Sequence, residues 1–104
     1  RLPVIVTMDC LNAFFHHPDS PSLGEALVLS PAGGAIAFWG PSSVTSHLRQ
    51  QELADQFYRS LQDPAIATLG AAVRAALRAA ARDPAHRDVV KTWVLLGDPD
   101  LSLP

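Results

Sequence analysis

The residues best suited to bond-making chemistry are one thiol, four imidazoles and a pair of adjacent serines: Cys10, His16, His17, His47, His86, Ser42 and Ser43. Cys10 is the only cysteine, which excludes an internal disulfide and any zinc site of the paired-cysteine kind. It stands where the apolar, β-branched run "VIVTMD" gives way to "LNAFFHHP", so a strand delivers the thiol to a polar loop. That placement suits a nucleophile, and it equally suits a small buried residue that only packs. A free thiol titrates at about 8.5 and is only slightly ionised at neutral pH, so a catalytic cysteine needs a base or a cationic neighbour.

Four histidines compete for that role. His16 and His17 follow a phenylalanine pair that turns the loop away from Cys10, and two adjacent side chains do not readily share one metal ion. His86 lies near the start of a helical turn and reads as a surface residue. His47 belongs to "PSSVTSH", the polar stretch after a second apolar run, and is the best base within the chain. Ser42 and Ser43 lack the glycine-flanked elbow of a serine nucleophile.

The elements that position these groups follow from pattern. Leu2 to Met8 reads as a strand covered on both faces, and the run from Ala35 to Gly40, "AIAFWG", as a second. Between them, Asp9 to Pro21 is loop. A helix over Leu23 to Leu29 is capped by Ser20 or Ser22, with Ser22 and Glu25 at capping-box spacing. Strand, helix, strand makes a right-handed parallel crossover. Ligands bind outside the carboxyl ends of parallel strands, so Cys10 and the stretch from Ser42 to His47 are expected on one rim.

The second half reads as helical. His47 to Leu61 sets Leu48, Leu53, Phe57 and Leu61 near one face. Asp63 and Pro64 open a helix that carries Ile66, Leu69, Val73 and Leu77 inward and turns Arg74, Arg78 and Arg82 to solvent. Asp83 and Pro84 repeat the signal ahead of a last helix, which holds Val89, Val90, Trp93 and Leu96 inward and stops at Gly97. A short extended tail follows.

Composition sets the broad class. Hydrophobic residues make up 48% and charged residues 17%, which marks a folded core rather than a disordered segment. The net charge is −2, the isoelectric point is near 6.0, and the eight basic residues are dispersed, so nucleic acid is not an expected partner. No apolar run approaches the roughly 18 to 20 residues that span a bilayer, and no membrane partner is expected. Two convincing strands make a poor sheet. Residues 1–104 are therefore expected to be the C-terminal portion of one larger α/β domain, whose N-terminal half is the natural partner.

Four blocks, "MDCLNAFFHHP", "SLGEALVLSPAGGAIAFWGPSS", "LGAAVRAAL" and "TWVLLGDPDLSL", resemble in that order the C-terminal half of the gingipain-like family of caspase-fold cysteine peptidases. The resemblance implies an α/β fold: the C-terminal part of a caspase-like three-layer sandwich, its sheet mostly parallel and flanked by helices. It implies that Cys10 is the nucleophile of peptide-bond hydrolysis on a polypeptide substrate. No metal or other cofactor is expected. The histidine of that family lies upstream, and the backbone N–H of Cys10 would contribute to the oxyanion hole. The loop after the second strand, with Ser42, Ser43, Ser46 and His47, would line part of the substrate pocket. That loop holds no acidic residue, so specificity for a basic side chain does not carry over. The competing reading is a non-catalytic caspase-fold interaction or assembly module in which Cys10 is structural.

Overall fold

The computed structural model describes residues 1–104. Three strands form one sheet in the order β1 (Val4–Val6), β2 (Ala37–Pro41), β3 (Trp93–Gly97). β1 pairs with β2 in parallel, with Val4 opposite Ala37 and Val6 opposite Trp39, and β2 pairs antiparallel with β3. The helices are α1 (Leu23–Val28), α2 (His47–Ser60), α3 (Leu69–Ala80) and α4 (Arg87–Thr92), the last preceded by a 3₁₀ turn at Pro84–His86.

β2 is buried along its whole length, as its unbroken apolar sequence requires. Its side chains alternate between two layers. Ala37 and Trp39 enter the main core with Leu53 and Phe57 of α2, Leu69, Ala72, Val73 and Ala76 of α3, and Trp93. The Trp39 ring lies 4.9 Å from that of Phe57 and 4.7 Å from that of Trp93. On the opposite face Phe38 meets α1 at Gly24, where an added Cβ would come within 2.7 Å of the Phe38 ring. Helices thus cover both sides of the sheet.

The capping box is formed: Ser22 Oγ accepts from the Glu25 N–H, and the Ser22 N–H donates to the Glu25 carboxylate at 2.7 Å. The backbone N–H of Ser22, then its hydroxyl, hold the Glu25 carboxyl below its ordinary value. After α1 the chain turns through Gly34, whose φ of +153° and 2.2 Å approach of a built Cβ to the Leu27 carbonyl oxygen leave no room for a side chain.

Four expectations are corrected. The last helix stops at Thr92, and Trp93–Gly97 is a strand. "WVLLG" is a continuous apolar run, and five residues against buried β2 gain ladder bonds and burial that a longer helix would forfeit. α3 begins at Leu69 behind Thr68, whose Oγ1 accepts the Ala71 N–H, while Asp63 only closes a turn by accepting from the Ala65 N–H. On α2 the buried residues are Gln50, Leu53, Ala54 and Phe57, whereas Leu48 and Leu61 are exposed. Leu48 and Leu53 are five residues apart, about 140° around the helix, so they cannot share a stripe. Finally, the Val4–Val6 strand is shorter than the run that predicts it, although the Thr7 N–H still reaches the Trp39 carbonyl. Arg74, Arg78 and Arg82 face solvent, as expected. No helix is long and apolar enough to cross a membrane.

Candidate active site

The carboxyl ends of β1 and β2 open on the same rim, and there the chain folds back on itself. The Ala13 N–H donates to the Pro41 carbonyl at 3.0 Å, which lays the loop after β1 across the end of β2. Cys10 lies at the start of that loop and is half-buried. Its thiol donates to the Thr45 carbonyl at 3.6 Å, and the Gln50 amide nitrogen donates to the Cys10 sulfur at 3.4 Å. The same nitrogen donates to the Thr45 carbonyl at 3.3 Å. The parallel crossover has therefore brought together the thiol and the loop after β2.

Leu11 follows with φ of +65°, the one non-glycine residue of the chain in the left-handed region. A leucine there is strained, and the strain turns the chain sharply just beyond the thiol. The backbone N–H groups of Cys10 and Leu11 donate to no acceptor within the chain.

The loop from Ser42 to Ser46 is held from below by α4. The Ser42 N–H and hydroxyl both donate to the Thr92 carbonyl, at 2.9 and 2.6 Å. The Ser46 N–H donates to Asp88 at 3.2 Å, so a carboxylate on α4 satisfies an otherwise open donor at the start of α2. Arg49 lies 3.5 Å from the same carboxylate. Burial alone would raise the Asp88 pKa. The backbone N–H groups of Ser46, Val89 and Asp88 itself, with the Arg49 charge, outweigh it and hold the carboxyl below its ordinary value.

The residues singled out from sequence take different places. Ser42 is buried with its hydroxyl committed to Thr92, while Ser43 and Ser46 are half-buried on the rim and His47 is exposed at the first turn of α2. The hydrogen bonds of Cys10 run to Thr45 and Gln50, not to a histidine. His16 and His17 are exposed and stack against Phe14 with ring centroids 4.0 and 5.9 Å apart. His17 Nδ1 accepts from the N–H groups of Asp19 and Ser20 at 3.2 Å, so the histidine pair braces the loop. His86, expected at the surface, is mostly covered and pairs with Glu52 of α2. No group of three or more histidine, cysteine or acidic side chains is arranged to hold a metal ion.

Sequence reasoning missed Gln50 and Asp88. The signal for Gln50 was present: it is the polar member of a stripe whose other positions, 53, 54 and 57, are apolar. Asp88 has no such signal, because its partner is 42 residues away in the chain.

No curated protein sequence matches the chain. Among solved structures, the Arg-specific cysteine proteinase gingipain R is similar with a TM-score of 0.89 at 21% identity, over 98% of this chain and 26% of that one. A complex of the pro- and mature domains of RgpB from Porphyromonas gingivalis is similar with a TM-score of 0.84 at 22% identity, over 96% of this chain. The chain thus spans about a quarter of the length of either relative (26%), and at this identity the likeness establishes the fold, in agreement with the caspase-like layered sheet expected above. The sequence model of peptidase family C25 matches residues 1–104 from end to end, and the chain belongs to that family.

Proposed function

We propose that this chain carries the nucleophile of a cysteine endopeptidase, and that Cys10 is that nucleophile. The observation that carries the reading is the position of its sulfur: half-exposed at the carboxyl end of a parallel strand, hydrogen-bonded from two sides, and next to two unpaired backbone N–H groups. Membership of a peptidase family supports it.

A histidine takes the Cys10 S–H proton, and the sulfur attacks the scissile carbonyl carbon. Negative charge gathers on the carbonyl oxygen, where the backbone N–H of Cys10 is a preorganised donor; one such donor contributes about 3 to 4 kcal/mol to the transition state. The C–N bond breaks, the amine leaves with a proton from a histidine, and a thioester remains on Cys10. Water, deprotonated by the same histidine, then releases the acid and restores the thiol. We assign the histidine to the upstream half of the same domain. That half also fits β1, an edge strand whose Val4 and Val6 line an apolar crevice with Phe57, Tyr58, Leu61, Leu69 and Leu103. Ser43, Ser46 and His47 stand on the rim where a peptide would pass, beside the exposed Val44, and Ser42 supports them from beneath.

Hydrolysis of a fluorogenic peptide library by the full-length protein tests the reading. Cys10→Ala is expected to lower kcat/KM by at least about a thousandfold while leaving the fold intact. Full activity in that variant would rule the nucleophile out and favour an assembly module with the same fold.

A further inference from the structure

Gln50 is 1% exposed, on a helix face otherwise committed to the apolar core, and its carbonyl oxygen is buried without a partner. Burying an amide half-satisfied carries a penalty that leucine or methionine at this position would avoid. Its other half is fully used. One N–H points to the Cys10 sulfur at 3.4 Å and the other to the Thr45 carbonyl at 3.3 Å, and the thiol itself points to that carbonyl at 3.6 Å. The reverse orientation of the amide would set its oxygen against the Thr45 oxygen, two acceptors facing each other.

From this triangle we infer that Gln50 is a positioning residue for the nucleophile, one that keeps the Cys10 sulfur in place and favours its ionised form. The inference rests on the assignment of Cys10 as nucleophile. In the neutral state the S–H donates to the Thr45 carbonyl. On ionisation that donor is lost, and a bare carbonyl beside a thiolate would repel it. Gln50 removes the conflict, because its first N–H still satisfies the carbonyl while its second becomes a charge-assisted donor to the sulfur. One side chain serves both protonation states without moving. Being buried, the amide cannot touch a substrate, so it acts through the two groups it bonds, the Cys10 sulfur and the Thr45 carbonyl.

The test is the rate of iodoacetamide alkylation of Cys10 against pH in the full-length protein, read by mass spectrometry of the peptide that contains it, for the parent, Gln50→Met and Gln50→Glu. Methionine keeps the length and loses both donors; glutamate keeps the shape and adds a negative charge. Gln50→Met is expected to react about tenfold more slowly at pH 7, since a hydrogen bond to a charged group is lost, and to regain the parent rate at alkaline pH where the sulfur is ionised in both. Gln50→Glu is expected to react more slowly still. Peptide hydrolysis should fall with alkylation in kcat, with KM unchanged.

Superimposable pH profiles would overturn the inference. So would a rate lowered by the same factor at every pH, which would report access or loosened packing. If Gln50→Met does not fold, the comparison of Gln50→Glu with the parent carries the test. A dead Cys10→Ala with Gln50 variants that alkylate as the parent does would remove Gln50 alone. An active Cys10→Ala would remove the nucleophile assignment and this inference with it.

Discussion

The two strand-to-helix connections that build the rim are held in opposite ways. The connection from β2 to α2 is short and tied: Ser42 is buried and bonds twice to Thr92, and Ser46 is held by Asp88. The connection from β1 to α1 is long and mostly exposed, turns on a strained Leu11, and is braced by surface histidine contacts and by backbone bonds from Thr7 to Trp39, from Ala13 to Pro41 and from Gly24 to Asn12. The thiol is on the loose connection, and the groups that hold it, Thr45 and Gln50, are on or beside the tied one. A reactive side chain can thus sit on an accessible loop and still be aimed, provided its hydrogen-bond partners belong to a rigid neighbour.

Substitutions can break this contrast, starting beneath the two connections. Trp39→Ala removes the largest fully buried side chain, at the centre of the strand that leads into the tied connection, and is expected to cost about 3 to 5 kcal/mol. Val6→Ala, at the half-buried edge strand below the loose connection, should cost about 1 kcal/mol. Urea unfolding midpoints compare them, and equal losses would mean that the strands are equally tied.

The connections themselves follow. Ser42→Ala deletes a buried hydroxyl donor and leaves the Thr92 carbonyl with only the Ser42 N–H, for an expected loss of about 1 to 2 kcal/mol, whereas Ser20→Ala on the exposed loop should lie within about 0.5 kcal/mol of the parent. A thermal melt separates these two.

Asp88→Ala frees the Ser46 N–H and the Arg49 charge. Because the carboxylate is about one-third exposed (31%), the expected loss is only about 1 kcal/mol, after screening. The sign with pH follows from the lowered folded pKa: the stabilisation is complete above the unfolded value of about 3.9 and is lost as pH falls through the folded one. The difference between parent and variant should therefore be constant at neutral pH and vanish in acid. A difference that grows on acidification would refute the role given to Asp88.

The smallest effect is expected at Leu11. Leu11→Gly relieves a left-handed leucine but adds freedom to the unfolded chain, so stability should rise by no more than about 0.5 kcal/mol. Leu11→Ile, β-branched at the same backbone angle, should instead destabilise, and an equal effect of the two would show that the angle carries no strain.

Local signals were legible wherever the partner was close in sequence. The Ser22–Glu25 box, the Asp83 cap over Ala85 and the arginine face of α3 are each written within one or two turns. The start of α3 was misread because Asp63 and Pro64 are as good a turn as a helix cap, and only the bonds from Leu69 and Gly70 to the returning tail at Leu101 and Pro99 select Thr68. The run "WVLLG" was misread because its apolar residues fit a buried helix and a buried strand alike, and the open edge of β2 decides between them.

The amino-acid sequence by itself determined the layers: apolar runs of strand length, helices of amphipathic period between them, and one thiol at a strand end. Such patterns record how each segment meets water, and that is a local property of side chains. Tertiary structure decided the rest: the antiparallel β3, Asp88 bracing the start of α2, and Gln50 reaching the sulfur of Cys10 across 40 residues of chain. These contacts depend on directional bonds between groups whose separation exists only once the sheet has formed, and no spacing along the chain encodes it.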